Sequence, residues 1–132
     1  MHQLSVIRFV GKQATSDCGI AALAMYLGKT YEDVLTVAAM VTKNKRVHRS
    51  GVFATELMRI AEQLNITLIQ KRRWDLETAF GVLFVDVHQG NRHAVLLKDG
   101  LIYDPDDLTI WDAEVYFEQQ GCKPQLLLTE KC

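Results

Sequence analysis

The sequence predicts an α+β fold, with helices gathered in the first half and packed on a predominantly antiparallel sheet supplied by the second. Three observations carry that expectation. Apolar residues recur at helical spacing from Cys18 to about Asn65. From Ile66 onward the period shortens to that of strands, in the runs ITLIQ, VLFVDV, HAVLLK and QLLLT. Between two strand-like runs stands Asp99-Gly100, the strongest hairpin signal in the chain, and a hairpin makes its two strands antiparallel. Helices come first and strands after, rather than alternating, which argues against a doubly wound sheet. The 132 residues contain no internal repeat, linker or low-complexity tract, so residues 1–132 read as a single domain, large enough for a core without staples.

Taken in order, Leu4 to Val10 reads as an edge strand or extended lead-in to Gln13. The first helix follows Asp17, which can cap it through its carboxylate, and carries Ile20, Ala21, Leu23, Ala24 and Leu27; Gly28 is its expected C-cap. Thr30 with Asp33 begins a second helix in a weaker form of the capping box, with Val34, Leu35, Val37, Ala38 and Val41 as its apolar face. The basic stretch Lys43 to Arg49 reads as a loop, either a solvated connection or a rim that steers acidic partners toward a cleft. Ser50 or Gly51 opens a third helix with Leu57, Ile60, Ala61 and Leu64 inward, ending at Asn65. Ile66 to Gln70 is then a strand, Asp75 to Phe80 a short helical turn, and Val82 to Val87 a strand whose unbroken apolar run predicts burial on both faces. His93 to Pro105 is the hairpin. Asp112 caps a last helix carrying Val115, Tyr116 and Phe117, and Gln125 to Thr129 is the final strand.

The chemistry centres on Gln13 to Gly28. A lone cysteine beside Gly and Ala reads on composition alone as a buried core thiol. Cys18, however, falls in the first turn of a helix, after the polar run Gln13 to Asp17, where a structural cysteine gains least. Unpaired N–H groups and the positive end of the helix dipole favour thiolate there, and thiolate is the form that attacks a carbonyl. Asp17 opposes this electrostatically, so an imidazolium is the partner expected to complete the activation.

The hairpin supplies it. With a two-residue turn at Asp99-Gly100, Lys98 lies opposite Leu101 and Val95 opposite Asp104, which makes His93 and Asp104 diagonal neighbours on one face. A carboxylate at Asp104 would hold the imidazole tautomer and turn its other nitrogen toward Cys18. Asp106 satisfies the same parity but follows Pro105, which is expected to end the ladder. His88, in the turn-like run HQGNRH, reads as exposed.

Composition excludes other classes. A net charge of −1, from 15 basic and 16 acidic residues, argues against nucleic-acid or membrane-surface binding. No apolar run reaches membrane-spanning length and no secretory leader is recognisable. Cys18, Cys122 and Cys132 are too few and too widely spaced for a disulfide framework and point to a reducing, cytoplasmic setting, with a host-cell or virion-associated role also open. Cysteines and histidines show no compact ligand spacing, so neither metal nor cofactor is expected.

The order Gln13, DCG, an Ala-rich helix ending in MYLG, then HAVLL closing as IYDP, resembles the papain-like cysteine peptidase domain of bacteriocin-processing, double-glycine-leader exporters. GVFATELMRIAEQLNI and the strand after it also have counterparts there, so the resemblance covers nearly the whole chain. It implies a papain-like fold and amide hydrolysis through a thioester, with Cys18 as nucleophile, His93 as general base and acid, Asp104 as its orienter and Gln13 as oxyanion donor. Gln13 stands one residue closer to the cysteine than is usual in that family. Leader removal coupled to export is not implied, since no transmembrane or nucleotide-binding region lies within the sequence. The expected partner is a peptide or protein substrate, with a larger assembly possible. Two alternatives stay open: a non-catalytic peptide-binding or protein-interaction domain on the same scaffold, and glutamine deamidation or acyl transfer by the same thiol.

Overall fold

Helix ends and the hairpin turn set the architecture, because local chemistry dictates where each element stops. The computed structural model describes residues 7, 9–11, 17–86 and 92–131. Helix α1 (Cys18–Leu27) ends where Gly28 adopts φ 67°, a left-handed conformation that glycine takes without steric cost. Helix α2 (Tyr31–Thr42) begins with the Thr30 hydroxyl accepting the Asp33 N–H at 3.1 Å, as the capping pattern predicts. Helix α4 (Ala54–Gln63) starts with the Glu56 carboxylate accepting the Phe53 N–H at 2.8 Å. This is half a capping box, since the Phe53 side chain has no acceptor to return the bond. The basic stretch is not all loop: α3 (Val47–Ser50) is a single turn of helix, anchored by the buried Val47.

The second half builds one six-stranded antiparallel sheet in the order β1-β6-β2-β3-β4-β5. Its strands are β1 (Leu68–Lys71), β2 (Phe80–Asp86), β3 (Arg92–Lys98), β4 (Leu101–Asp104), β5 (Thr109–Asp112) and β6 (Lys123–Glu130). The expected helical piece at Asp75 to Phe80 is a turn, with the Thr78 and Ala79 N–H groups on the Asp75 carbonyl, and Phe80 already belongs to β2. Strand β5 was not expected from the sequence; it forms because a turn held by the Leu108 N–H on the Asp104 carbonyl folds the chain back on β4. Helix α5 (Ala113–Gln120) starts at Asp112, whose carboxylate accepts the Val115 N–H at 3.2 Å.

Burial follows the strand period. Val82 and Phe84 of β2 face one way, into a core made with Ile20, Leu23, Leu57 and Ile60 of the N-terminal helices. Leu83 and Val85 face the other way, into a second core shared with Val95, Leu97 and the α5 residues Ala113 and Tyr116. β2 is thus buried on both faces, as its apolar run predicts. Each fully buried Ile or Leu contributes about 1.5–3 kcal/mol relative to exposure. β2 and β6 approach closely at Gly81, where a Cβ would stand 2.2 Å from the Leu128 carbonyl oxygen. Helix α1 lies across β3 and β2 and so brings its first residue to the start of β3.

Candidate active site

Cys18 is the first residue of α1, and it stays there because Gly19 lets the helix start pack tightly. A Cβ at Gly19 would lie 2.9 Å from Val52 and 3.4 Å from Leu57. Asp17 precedes it as N-cap, but its carboxylate makes no capping bond, contrary to the sequence expectation. It is fully buried and accepts the Tyr31 hydroxyl instead, so the first residue of α2 ties down the entrance of α1. Burial and then Asp17 push the Tyr31 phenol well up from its ordinary value.

His93 comes from the second position of β3 and Asp104 from the end of β4. Asp99 and Gly100 both take positive φ, 50° and 81°, the pattern of a type I′ turn, and Lys98 pairs with Leu101 as expected. His93 Nε2 lies 2.9 Å from Asp104 Oδ1. An ionised carboxylate only accepts, so Nε2 carries the proton and Nδ1 is left for the Cys18 thiol, which lines the same groove as the ring. Three residues predicted from one helix start and one hairpin therefore meet. The carboxylate hydrogen-bonded to the ring is that of Asp104: β4 ends before Pro105, and the Asp106 backbone N–H donates to Asp104 Oδ1 at 2.9 Å while Asp106 itself lines the groove beside Cys18.

The electrostatics agree with this geometry. Burial alone would raise the Cys18 thiol, but the His93 hydrogen bond and charge, with the N–H groups of Ala94 and Gly19, outweigh it and bring the thiol below its ordinary 9.0. Burial likewise disfavours the imidazolium, yet hydrogen bonds and charges from Asp104 and Cys18 push His93 from 6.5 up to about 10. Asp104, despite burial, is held below the ordinary carboxylate value by His93, the Asp106 N–H and the Tyr116 hydroxyl. A thiolate–imidazolium pair with a fixed carboxylate behind it is suited to nucleophilic attack followed by proton delivery.

A groove of about 830 Å³ runs past Cys18 and His93. Val52, Phe53, Phe84 and Leu126 make its apolar wall, and Arg72 and Arg92 add positive charge. Phe53 is 77% exposed there. No residue of the basic stretch Lys43 to Arg49 is among its lining residues; the positive charge there is that of Arg72 and Arg92. Sequence reasoning missed those arginines, and it missed Tyr116 as a partner of Asp104. A signal existed for Tyr116: a tyrosine on the apolar side of a short helix needs a buried partner for its hydroxyl. Gln13, His88, Cys132 and most of the lead-in Leu4 to Val10 lie outside the described residues.

Among the described residues no helix is long and apolar enough to cross a membrane. The crystal structure of the peptidase domain of Streptococcus mutans ComA matches with a TM-score of 0.62 at 17% identity, over 94% of this chain and 98% of that one. It has the same arrangement of helices on an antiparallel sheet. No curated protein sequence matches. The model of the peptidase C39 family matches residues 7–111, most of the chain and all the segments that build the groove except β6. On that match the chain belongs to the peptidase C39 family and is a cysteine peptidase.

Proposed function

We propose that this protein cleaves peptide amide bonds through a Cys18–His93–Asp104 triad and a thioester intermediate. The observation that carries the reading is His93 Nε2 standing 2.9 Å from Asp104 Oδ1, with Cys18 and His93 lining one groove and each shifting the other's protonation. Cys18 Sγ attacks the scissile carbonyl carbon and forms a C–S bond as the carbonyl π pair moves to oxygen. That oxyanion faces the N–H of Cys18, one of the unpaired donors of a helix start, and in this reading the Gln13 side-chain amide as second donor. As the tetrahedral adduct collapses, the C–N bond breaks and His93 gives its Nδ1 proton to the departing amine. Water then attacks the thioester while His93 takes its proton, the C–S bond breaks, and acid and free thiolate result. Asp104 keeps the ring in one tautomer and stabilises the imidazolium throughout.

The substrate is a peptide lying in the groove with its scissile carbonyl at Cys18. The test combines mass-spectrometric mapping of limiting iodoacetamide on the folded protein with cleavage of a peptide library, for wild type, His93→Ala and Cys18→Ala. Modification should concentrate on Cys18 at neutral pH and drop in His93→Ala, and cleavage should vanish in both variants. Cleavage that survives Cys18→Ala would overturn the assignment.

A further inference from the structure

The carboxylate behind the histidine is itself held from the opposite side of the sheet. Asp104 is 6% exposed, and its two oxygens are used differently. Oδ1 takes His93 Nε2 and the Asp106 N–H, both at 2.9 Å, whereas Oδ2 takes the Tyr116 hydroxyl at 2.8 Å. Tyr116 is 2% exposed and reaches Asp104 from α5, which packs on the sheet face away from the N-terminal helices. Its ring is fixed by edge contacts to Trp111 and Phe117, with centroids 6.0 and 6.2 Å away. Rotation of the carboxylate about its Cβ–Cγ bond would break the Tyr116 bond at Oδ2 as well as those at Oδ1, so the phenol adds a second restraint that keeps Oδ1 toward the imidazole.

The geometry points to Tyr116 as a positioning residue that fixes the Asp104 carboxylate and, through His93, the state of the Cys18 thiol. This rests on the triad reading. The ionisable groups facing this cluster come from every neighbouring element: Cys18 of α1, His93 of β3, Asp104 of β4, Asp106 and Asp107 of the turn after it, and Cys122 after α5. Burial first, then Asp104, keeps the Tyr116 phenol far above its ordinary value. It therefore remains a donor across the working range of pH, while Asp104 remains an acceptor.

The experiment follows the rate of iodoacetamide reaction at Cys18 against pH in wild type, Tyr116→Phe, Asp104→Asn, the double variant and His93→Ala, with circular dichroism and thermal melts on each. Tyr116→Phe removes one oxygen and keeps the ring. It should lower the neutral-pH rate about 10- to 100-fold, the scale of a hydrogen bond to a charged group, and move the acid limb to higher pH. In the Asp104→Asn background the same change should have no further effect. A residue that merely packs α5 on the sheet would lower the melting temperature, leave the pH profile in place and add independently to Asp104→Asn; that result overturns the proposal. If Tyr116→Phe does not fold, 3-fluorotyrosine at position 116 keeps the ring with a stronger donor and should move the acid limb the opposite way, and an unmoved limb again overturns it. Should His93→Ala also leave the wild-type profile intact, the triad reading falls as well; a change in His93→Ala with none in Tyr116→Phe removes Tyr116 alone.

Discussion

The start of α1 and the end of α5 each carry a cysteine, and the two thiols are driven in opposite directions. Cys18 opens its helix, receives N–H groups and a positively charged imidazole, and is brought below the ordinary thiol value. Cys122 follows the Gly121 cap at the other end of a helix. Burial pushes it up most, its own backbone N–H opposes this in part, and the negative charge of Asp104 adds a smaller push upward. The same Asp104 bears on both thiols: it favours the imidazolium beside one and discourages ionisation of the other. Thiol ionisation here thus follows position, not residue type or burial by itself.

The largest expected effect tests that contrast directly. At pH 7 and limiting iodoacetamide, modification should fall overwhelmingly on Cys18 rather than Cys122, because one thiol is held below and the other above the ordinary thiol value. Peptide mapping by mass spectrometry measures it. Comparable labelling of both sites in folded protein would break the comparison.

A second effect concerns pH. His93 is held at about 10 against 6.5 when free, so its stabilising contribution is complete below about pH 6.5 and is lost as pH rises toward 10. Chemical unfolding of wild type and His93→Ala across that window should show the stability difference shrinking with rising pH. Turnover should fall on the same alkaline limb, because the leaving amine needs the imidazolium proton, while Cys18 alkylation should persist there because thiolate remains. Turnover and alkylation falling together would mean that the proton on His93 has no part separate from thiol ionisation.

The smallest effect concerns surroundings. Cys18 shares a groove with Arg72 and Arg92, whereas Cys122 is buried and feels the negative charge of Asp104. In a Cys18→Ala background, reversing both arginines to Glu should weaken binding of an acidic peptide about 10-fold at low salt and much less at high salt. The control is Lys45→Glu with Arg46→Glu, outside the groove, which should bind nearly as wild type by fluorescence anisotropy. The reverse ranking would return the steering role to the loop.

Much of this site was legible because it depends on short-range rules. A helix start is announced within a few residues, and a two-residue turn sets register and therefore parity, which is enough to bring His93 and Asp104 together without any knowledge of the rest of the fold. The placement of Cys18 against His93 needed more, since α1 has to cross the sheet at one particular strand; there the quoted motifs, through their resemblance to a peptidase family, supplied what spacing did not. The misreadings share a different cause. Asp17 has the right chemistry for a cap, yet its carboxylate bonds Tyr31, because a buried phenol arriving from α2 competes for the same oxygen. The basic stretch has loop composition, yet Val47 finds a core and pulls a turn of helix in with it.

By itself the sequence determined the α+β class, both ends of α1, the starts of α2 and α5, and the hairpin register that sets His93 beside Asp104. These follow from backbone propensity, capping and turn chemistry, whose range is a few residues. Tertiary structure alone decided that Tyr116 seals Asp104 from the far face of the sheet, that Arg72 and Arg92 rather than Lys43 to Arg49 flank the groove, and that β5 closes one edge. The reason is physical: each of these depends on which surfaces meet once both sheet faces are covered, and a hydrogen bond or charge pairing across such a contact leaves no periodic trace in the chain.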